Sequence, residues 1–175
     1  MNYCHVESPV GTLLIACDDE AIRQIEFSQN GQPAPPERDW NQSSSGLLRE
    51  AAEQLNEYFT GSRTVFTVPL GPEGTEFQST VWRHLRNIPY GQTISYGELA
   101  KWLGKPKASR AVGAANGSNP IPIMIPCHRV IGSDGKLTGF GGGLPAKKAL
   151  LTLEALHKSQ RQGDDLLSGV AGMSL

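Results

Sequence analysis

Three prolines within seven residues, Pro120, Pro122 and Pro126, constrain this chain more than any other feature of its sequence. Each fixes its own φ, removes an amide donor and pushes the preceding residue out of the helical region. Asn119 to Val130 is therefore neither a helix nor a central strand, and the pattern predicts a rigid, extended strap. The strap ends by presenting Cys127 beside His128, and a thiol next to an imidazole is the usual arrangement for a nucleophilic cysteine. In an extended strand neighbouring side chains point to opposite faces, so contact between the two requires a bend or a bridging water. A Cys-His dipeptide also arises by accident. Cys4 and Cys17, each inside a β-prone run, read as small core residues.

Charge divides the chain in two. Residues 1–76 carry a balance of −8 and residues 77–150 a balance of +8, which the net charge of −1 conceals. A basic half is the electrostatic footprint of a polyanion-binding surface. Two docked halves of opposite sign explain the same numbers equally well. Three cysteines form a poor disulfide framework, which predicts reduced thiols. No apolar run is long enough to span a bilayer, and Met1 to Val10 lack a basic region followed by an apolar one, so the expectation is a soluble, cytoplasmic protein with no membrane contact.

The expected fold class is α+β: a small antiparallel sheet with one helix in residues 1–70, then a mainly helical domain in residues 75–156. Tyr3 to Glu7, Thr12 to Cys17 and Ala21 to Phe27 read as a three-strand meander. Leu48, Ala51, Ala52, Leu55 and Phe59 recur at helical spacing ahead of Gly61, and Thr64 to Val68 reads as a closing strand. Leu70 to Gly74 marks the boundary. Thr75 and Gln78 fit a capping box for a helix striped by Phe77, Val81, Leu85 and Ile88. Thr93 to Leu103 and Lys107 to Asn116 then read as two helices broken at Gly104-Lys105-Pro106, the pattern of a helix-turn-helix. The second of these is made of small residues around one long side chain, Arg110. A helix that reads bases in the major groove needs several such side chains; small ones instead allow close approach to a groove floor, or tight packing inside the protein. Residues 157–175 read as a flexible tail.

Pro126-Cys127-His128-Arg129-Val130, preceded by Asn119-Pro120 and by the Ala-rich helix with Arg110, resembles the O6-alkylguanine-DNA alkyltransferase family, the methylated-DNA–protein-cysteine methyltransferases. The similarity is specific from about Thr75 to Leu156. Over the first domain, which it implies to be ribonuclease-H-like, it rests mainly on Ser8-Pro9-Val10-Gly11 and the layout. It implies direct, single-turnover repair: Cys127 takes the alkyl group from O6-alkylguanine, and from O4-alkylthymine, in duplex DNA and is inactivated. His128 would take the thiol proton through a water, oriented by Glu154. Tyr96 would protonate the departing purine, and Asn119 would tie the recognition helix to the strap. The carbonyl of Val130 would accept from the guanine amino group, the backbone near Gly141 would donate to O6, and Pro122 and Phe140 would line the pocket. Lys107, Ser109, Ala111 and Gly113 would meet DNA in the minor groove, where Arg110 would fill the gap left by the flipped nucleotide. A monomer without cofactor is implied.

Two departures matter. Many relatives place a tyrosine and a serine where this chain has Phe140 and Gly141, so hydroxyl contacts are lost and the run Gly139 to Gly143 leaves the wall mobile, open to bulkier alkyl groups. Some relatives bind a structural zinc in the first domain, but Cys4, Cys17 and His5 are out of register with that pattern, so no metal is expected. Three other classes compete. A lesion-binding module would lack the cysteine, a helix-turn-helix regulator would need more base-reading side chains, and a cysteine hydrolase would leave the basic half unexplained.

Overall fold

The computed structural model describes residues 1–171, with side chains through residue 165. Strands β1 (Asn2–Val6), β2 (Leu13–Cys17) and β3 (Ile22–Phe27) form the meander that their alternation predicts. They pair antiparallel, and a fourth short strand, β4 (Asn41–Gln42), adds parallel to β1, giving the order β3-β2-β1-β4. β2 is buried along its whole length because helix α1 (Leu47–Phe59) covers one face while Ala34 and Trp40 cover the other. The buried stripe of α1 is Leu48, Ala51, Gln54, Leu55 and Tyr58, so the expected stripe is turned: Ala52 and Phe59 are only half-buried.

The expected strand at Thr64 to Val68 does not form. The side-chain oxygen of Gln54 accepts from the amides of Thr67 and Val68, so these donors are satisfied by a side chain instead of a ladder. Pairing resumes one step later, where Ile22 and Leu70 form an isolated parallel bridge on the outer edge of β3. Arg23 reinforces this bridge through the Gly71 carbonyl at 3.0 Å.

Helix α2 (Glu76–Leu85) starts where the capping box places it, with the Thr75 and Gln78 exchanges both made. The region expected to be helical from Thr93 begins instead with a two-residue strand, β5 (Ile94–Ser95), and α3 spans Tyr96–Trp102 under a second capping box of Ser95 and Glu98. Gly104, at φ +67°, makes the turn to α4 (Ser109–Gly117). Trp82 of α2 donates its indole N–H to the Ala115 carbonyl at 2.8 Å, which fixes α4 against the core. The strap that follows is not straight: Ile125 donates back to the Ile121 carbonyl through a turn with Ile123 at φ +74°, and Cys127–Arg129 form one 3₁₀ turn. β6 (Val130–Ile131) then pairs parallel with β5.

Helix α5 spans Gly143–Ala171, so the expected flexible tail, of which residues 172–175 lie outside the described residues, is helical over residues 157–171. It is held there by packing. His157 lies on Gly61 and meets the Tyr90 hydroxyl at 3.1 Å, while Arg161 bonds the Gly61 carbonyl and stacks 5.4 Å above the Tyr90 ring. No helix among the described residues is long and apolar enough to cross a membrane.

Candidate active site

Two side-chain amides hold the backbone of Cys127 and of the strap that leads to it. Asn119 accepts from the Ile121 amide and donates to the Ile125 carbonyl at 2.8 Å, closing the strap on itself. Asn116, buried at the end of α4, donates to the carbonyl of Cys127 at 3.3 Å. The strap is also tied to the sheet, because Ile25 of β3 donates to the Pro120 carbonyl at 2.9 Å. The backbone of Cys127 is thus joined to α4 and to β3.

The 3₁₀ turn supplies the bend that an extended strap lacks, and it buries Cys127 and His128 together. His128 places Nε2 2.7 Å from Glu154, and its Nδ1 is buried without a hydrogen-bond partner among protein atoms. Glu154, fully buried, receives four residues: His128, the Tyr58 hydroxyl at 2.7 Å, the Gly91 amide at 3.0 Å, and Arg129 through Nε and Nη2 at 3.0 and 2.9 Å. Arg129 also donates to the Ile88 carbonyl at 2.7 Å. A buried carboxylate without such partners would take up a proton. Here burial pushes the Glu154 pKa up, but His128 and Arg129 outweigh it and hold the carboxyl down at about 2. Burial keeps the His128 imidazole below its ordinary range against the pull of Glu154. Burial also pushes the Cys127 thiol up to about 11, opposed by Asn119 and the Lys147 ammonium. At neutral pH the resting pair is a thiol and a neutral imidazole over a carboxylate.

Lys147 is the unexpected member. Its side chain is buried, with Nζ 2.6 Å from the Val130 carbonyl and 2.8 Å from that of Thr138. Val130 is the carbonyl expected to meet a guanine amino group, and a carbonyl oxygen has two lone pairs, so the ammonium leaves one free. Thr138 in turn exchanges hydrogen bonds with the Tyr96 hydroxyl, donating through Oγ1 and accepting through its carbonyl, both at 3.3 Å. The β5-β6 pairing sets Tyr96 at the start of α3, beside the strand that leaves Cys127.

Of the expected pocket residues, Pro122 and Val130 are buried, Phe140 is half-buried and Gly141 is exposed. Phe140 stacks edge-on against Phe27 of β3 with centroids 5.3 Å apart, and Gly142 leaves no room for a Cβ beside the Phe27 ring. Lys107, in the turn before α4, and Ser109, Arg110 and Ala111 at the start of the helix are exposed, and Gly113 is half-buried over Tyr96. Val112, Ala115 and Asn116 are buried. Tyr58, Asn116, Arg129 and Lys147 escaped the sequence reading. For Lys147 a signal existed, since Lys147, Leu150 and Glu154 share one helical stripe at spacings of three and four.

Two family models divide the chain between them. The 6-O-methylguanine DNA methyltransferase ribonuclease-like domain matches residues 1–72, and the DNA binding domain of the same name matches residues 76–156. The chain belongs to the 6-O-methylguanine DNA methyltransferase family. Within that family it is 50% identical over 154 residues to the methylated-DNA–protein-cysteine methyltransferase of Methanosarcina acetivorans, covering 88% of this chain and 98% of the relative. It is 48% identical to the enzyme of that name from Haemophilus influenzae, over 89% of this chain and 87% of the relative. The crystal structure of Mycobacterium tuberculosis OGT in complex with DNA superposes with a TM-score of 0.82 at 45% identity, over 90% of this chain and 94% of the other.

Proposed function

We propose that the chain repairs DNA by direct transfer of an alkyl group from O6-alkylguanine to the sulfur of Cys127, once per molecule. The observation that carries the reading is that His128, in the same turn as Cys127, is paired with the buried Glu154 of α5 while its Nδ1 is free of protein partners. His128 accepts the thiol proton through a water as the sulfur attacks the sp3 carbon. The S–C bond forms, the C–O6 bond breaks, and the guanine leaves as a neutral base protonated from Tyr96. Glu154 keeps Nε2 protonated and stabilises the imidazolium that results. A thioether carbon resists water, and no neighbouring group is suited to remove it, so the product is permanent.

The DNA-side reading rests on the charge division and on the exposed face of α4. Residues 75–156 act as the DNA-binding and alkyl-transfer unit, and residues 1–70 as a ribonuclease-H-like unit. The small residues Ser109, Ala111 and Gly113 bring the helix backbone close to the minor groove, Lys107 meets phosphate, and Arg110 takes the place of the flipped nucleotide. Val130, Gly141, Pro122 and Phe140 receive the base and its alkyl group, and O4-alkylthymine is a second substrate. The protein acts as a monomer in the cytoplasm. Intact-mass and peptide mass spectrometry after exposure to O6-benzylguanine test this reading. One benzyl group per chain, on Cys127 and absent from C127S, is expected; steady release of free benzyl product, or an adduct elsewhere, refutes it.

A further inference from the structure

We propose that Tyr58, a residue of the N-terminal sheet-and-helix unit, is a positioning residue of the transfer reaction: its hydroxyl donates to the Glu154 oxygen that His128 also uses, and so sets how strongly His128 holds a proton. The inference rests on the reading of Cys127 and His128 given above.

Tyr58 lies on α1, separated by 96 positions from the carboxylate it meets at 2.7 Å. Its ring is fully buried among Phe59, Phe66 and Tyr90, with centroids 5.2–5.8 Å away. Phenylalanine would serve those contacts equally well, so packing alone does not account for the hydroxyl. A buried hydroxyl without a partner is costly, and this one has a single partner, Oε1 of Glu154. The same oxygen stands 2.7 Å from His128 Nε2 and 2.9 Å from Arg129 Nη2. Oε2 is served by the Gly91 amide and Arg129 Nε. Arg129 Nε also reaches Oε1 at 3.2 Å, so donors of three residues share the lone pairs of one oxygen, and the share taken by Tyr58 is withheld from His128.

Every element around the pair contributes a group of known sign. The turn after Cys127 brings Arg129, α5 brings Lys147 toward the imidazole, and the turn before β5 brings Tyr90, itself covered by Arg161. The phenol of Tyr58 is held well above its ordinary pKa, first by burial and then by the Glu154 charge, so it stays a donor throughout the working pH range. Withdrawing that donor concentrates negative charge on Oε1, strengthens the ion pair with protonated His128 and raises the pH below which the base is lost.

The test is the single-turnover rate of benzyl transfer from O6-benzylguanine to the full-length protein as a function of pH. In Y58F the acid limb moves to higher pH by roughly half to one unit, so that transfer near the limb slows about three- to tenfold while the alkaline plateau stays within about twofold. Site-specific 3-fluorotyrosine at position 58, a stronger donor that keeps the ring, moves the limb the other way and remains informative if Y58F does not fold. Phe66→Leu, which disturbs the same ring cluster without touching Glu154, lowers the melting temperature and leaves the limb in place. A limb that stays within 0.2 units of wild type in both Tyr58 variants, or that moves equally in Phe66→Leu, overturns the inference. A wild-type protein that forms no benzyl adduct at Cys127 at any pH overturns instead the functional reading on which it stands.

Discussion

Glu154→Gln is the perturbation whose cost the structure fixes best. The side chain keeps its shape, but the charge that holds Arg129 and His128 disappears, and the new amide N–H₂ faces donors. Breaking one side of a buried ion pair costs about 3–5 kcal/mol, because the other charge stays buried without compensation. Linkage gives an independent figure. Glu154 titrates at about 2 against an ordinary 4.5, and that displacement corresponds to about 3 kcal/mol. Because the folded pKa is the lower one, this stability is fully present above pH 4.5 and is lost as the pH falls toward 2. Urea denaturation of wild type and E154Q at pH 7 should therefore differ by about 3 kcal/mol, and thermal midpoints by roughly 6–12 °C for a chain of this length. At pH 3 the gap should shrink by roughly 2 kcal/mol, since only the unfolded carboxyl is then mostly protonated. A gap below 1 kcal/mol at pH 7, or one that does not narrow between pH 5 and pH 3, would show that Glu154 is not the buried anion described.

Four further outcomes follow from separate features. Arg110→Ala should lower transfer from alkylated duplex DNA by tenfold or more while changing general DNA affinity and the rate with free O6-benzylguanine by less than about threefold, as measured by gel-resolved transfer and by titration; equal losses in all three contradict an intercalating role. Gly142→Ala places a Cβ 2.7 Å from the Phe27 ring, which must move, and should cost about 1–3 kcal/mol in denaturation; no measurable change would mean that the wall loop is not seated on β3. Thr75→Ala removes one half of a capping box and should cost about 1 kcal/mol, read as a thermal midpoint lowered by roughly 2–4 °C. Lys147→Met releases the carbonyls of Val130 and Thr138, so amide hydrogen exchange in residues 132–140 should accelerate relative to the rest of the chain; an unchanged pattern would show that another contact holds the loop.

What could be read from the sequence was local. The box of Thr75 and Gln78 sets the start of α2 without help from the rest of the chain, and alternation sets the meander. Pro120, Pro122 and Pro126 exclude regular structure from the strap, yet nothing in them specifies the turn at Ile123 or the 3₁₀ turn at Cys127. The errors are non-local. Thr64 to Val68 has strand composition, but Gln54 takes its amides; Ile94 and Ser95 look like the start of a helix, but their partners are Val130 and Ile131. The segment from residue 157 reads as a flexible tail until Gly61 and Tyr90 are seen to receive His157 and Arg161.

The same distinction runs through the active site. Cys127, His128 and Arg129 are adjacent in sequence, and a motif can reveal them. The groups that surround them in the fold are not adjacent. A buried carboxylate at position 154 survives ionised only because a guanidinium, an imidazole, a phenol and a backbone amide converge on it, from residues 129, 128, 58 and 91. Of these, the phenol comes from α1 of the N-terminal unit, and Ile25 of β3 holds the strap from the same side. The N-terminal sheet and helix are thus joined to Glu154 and to the strap that carries Cys127 by hydrogen bonds, not by a linker alone. A substitution in the interface they share, such as one at Phe27 or Tyr58, should accordingly register in the rate of transfer as well as in stability.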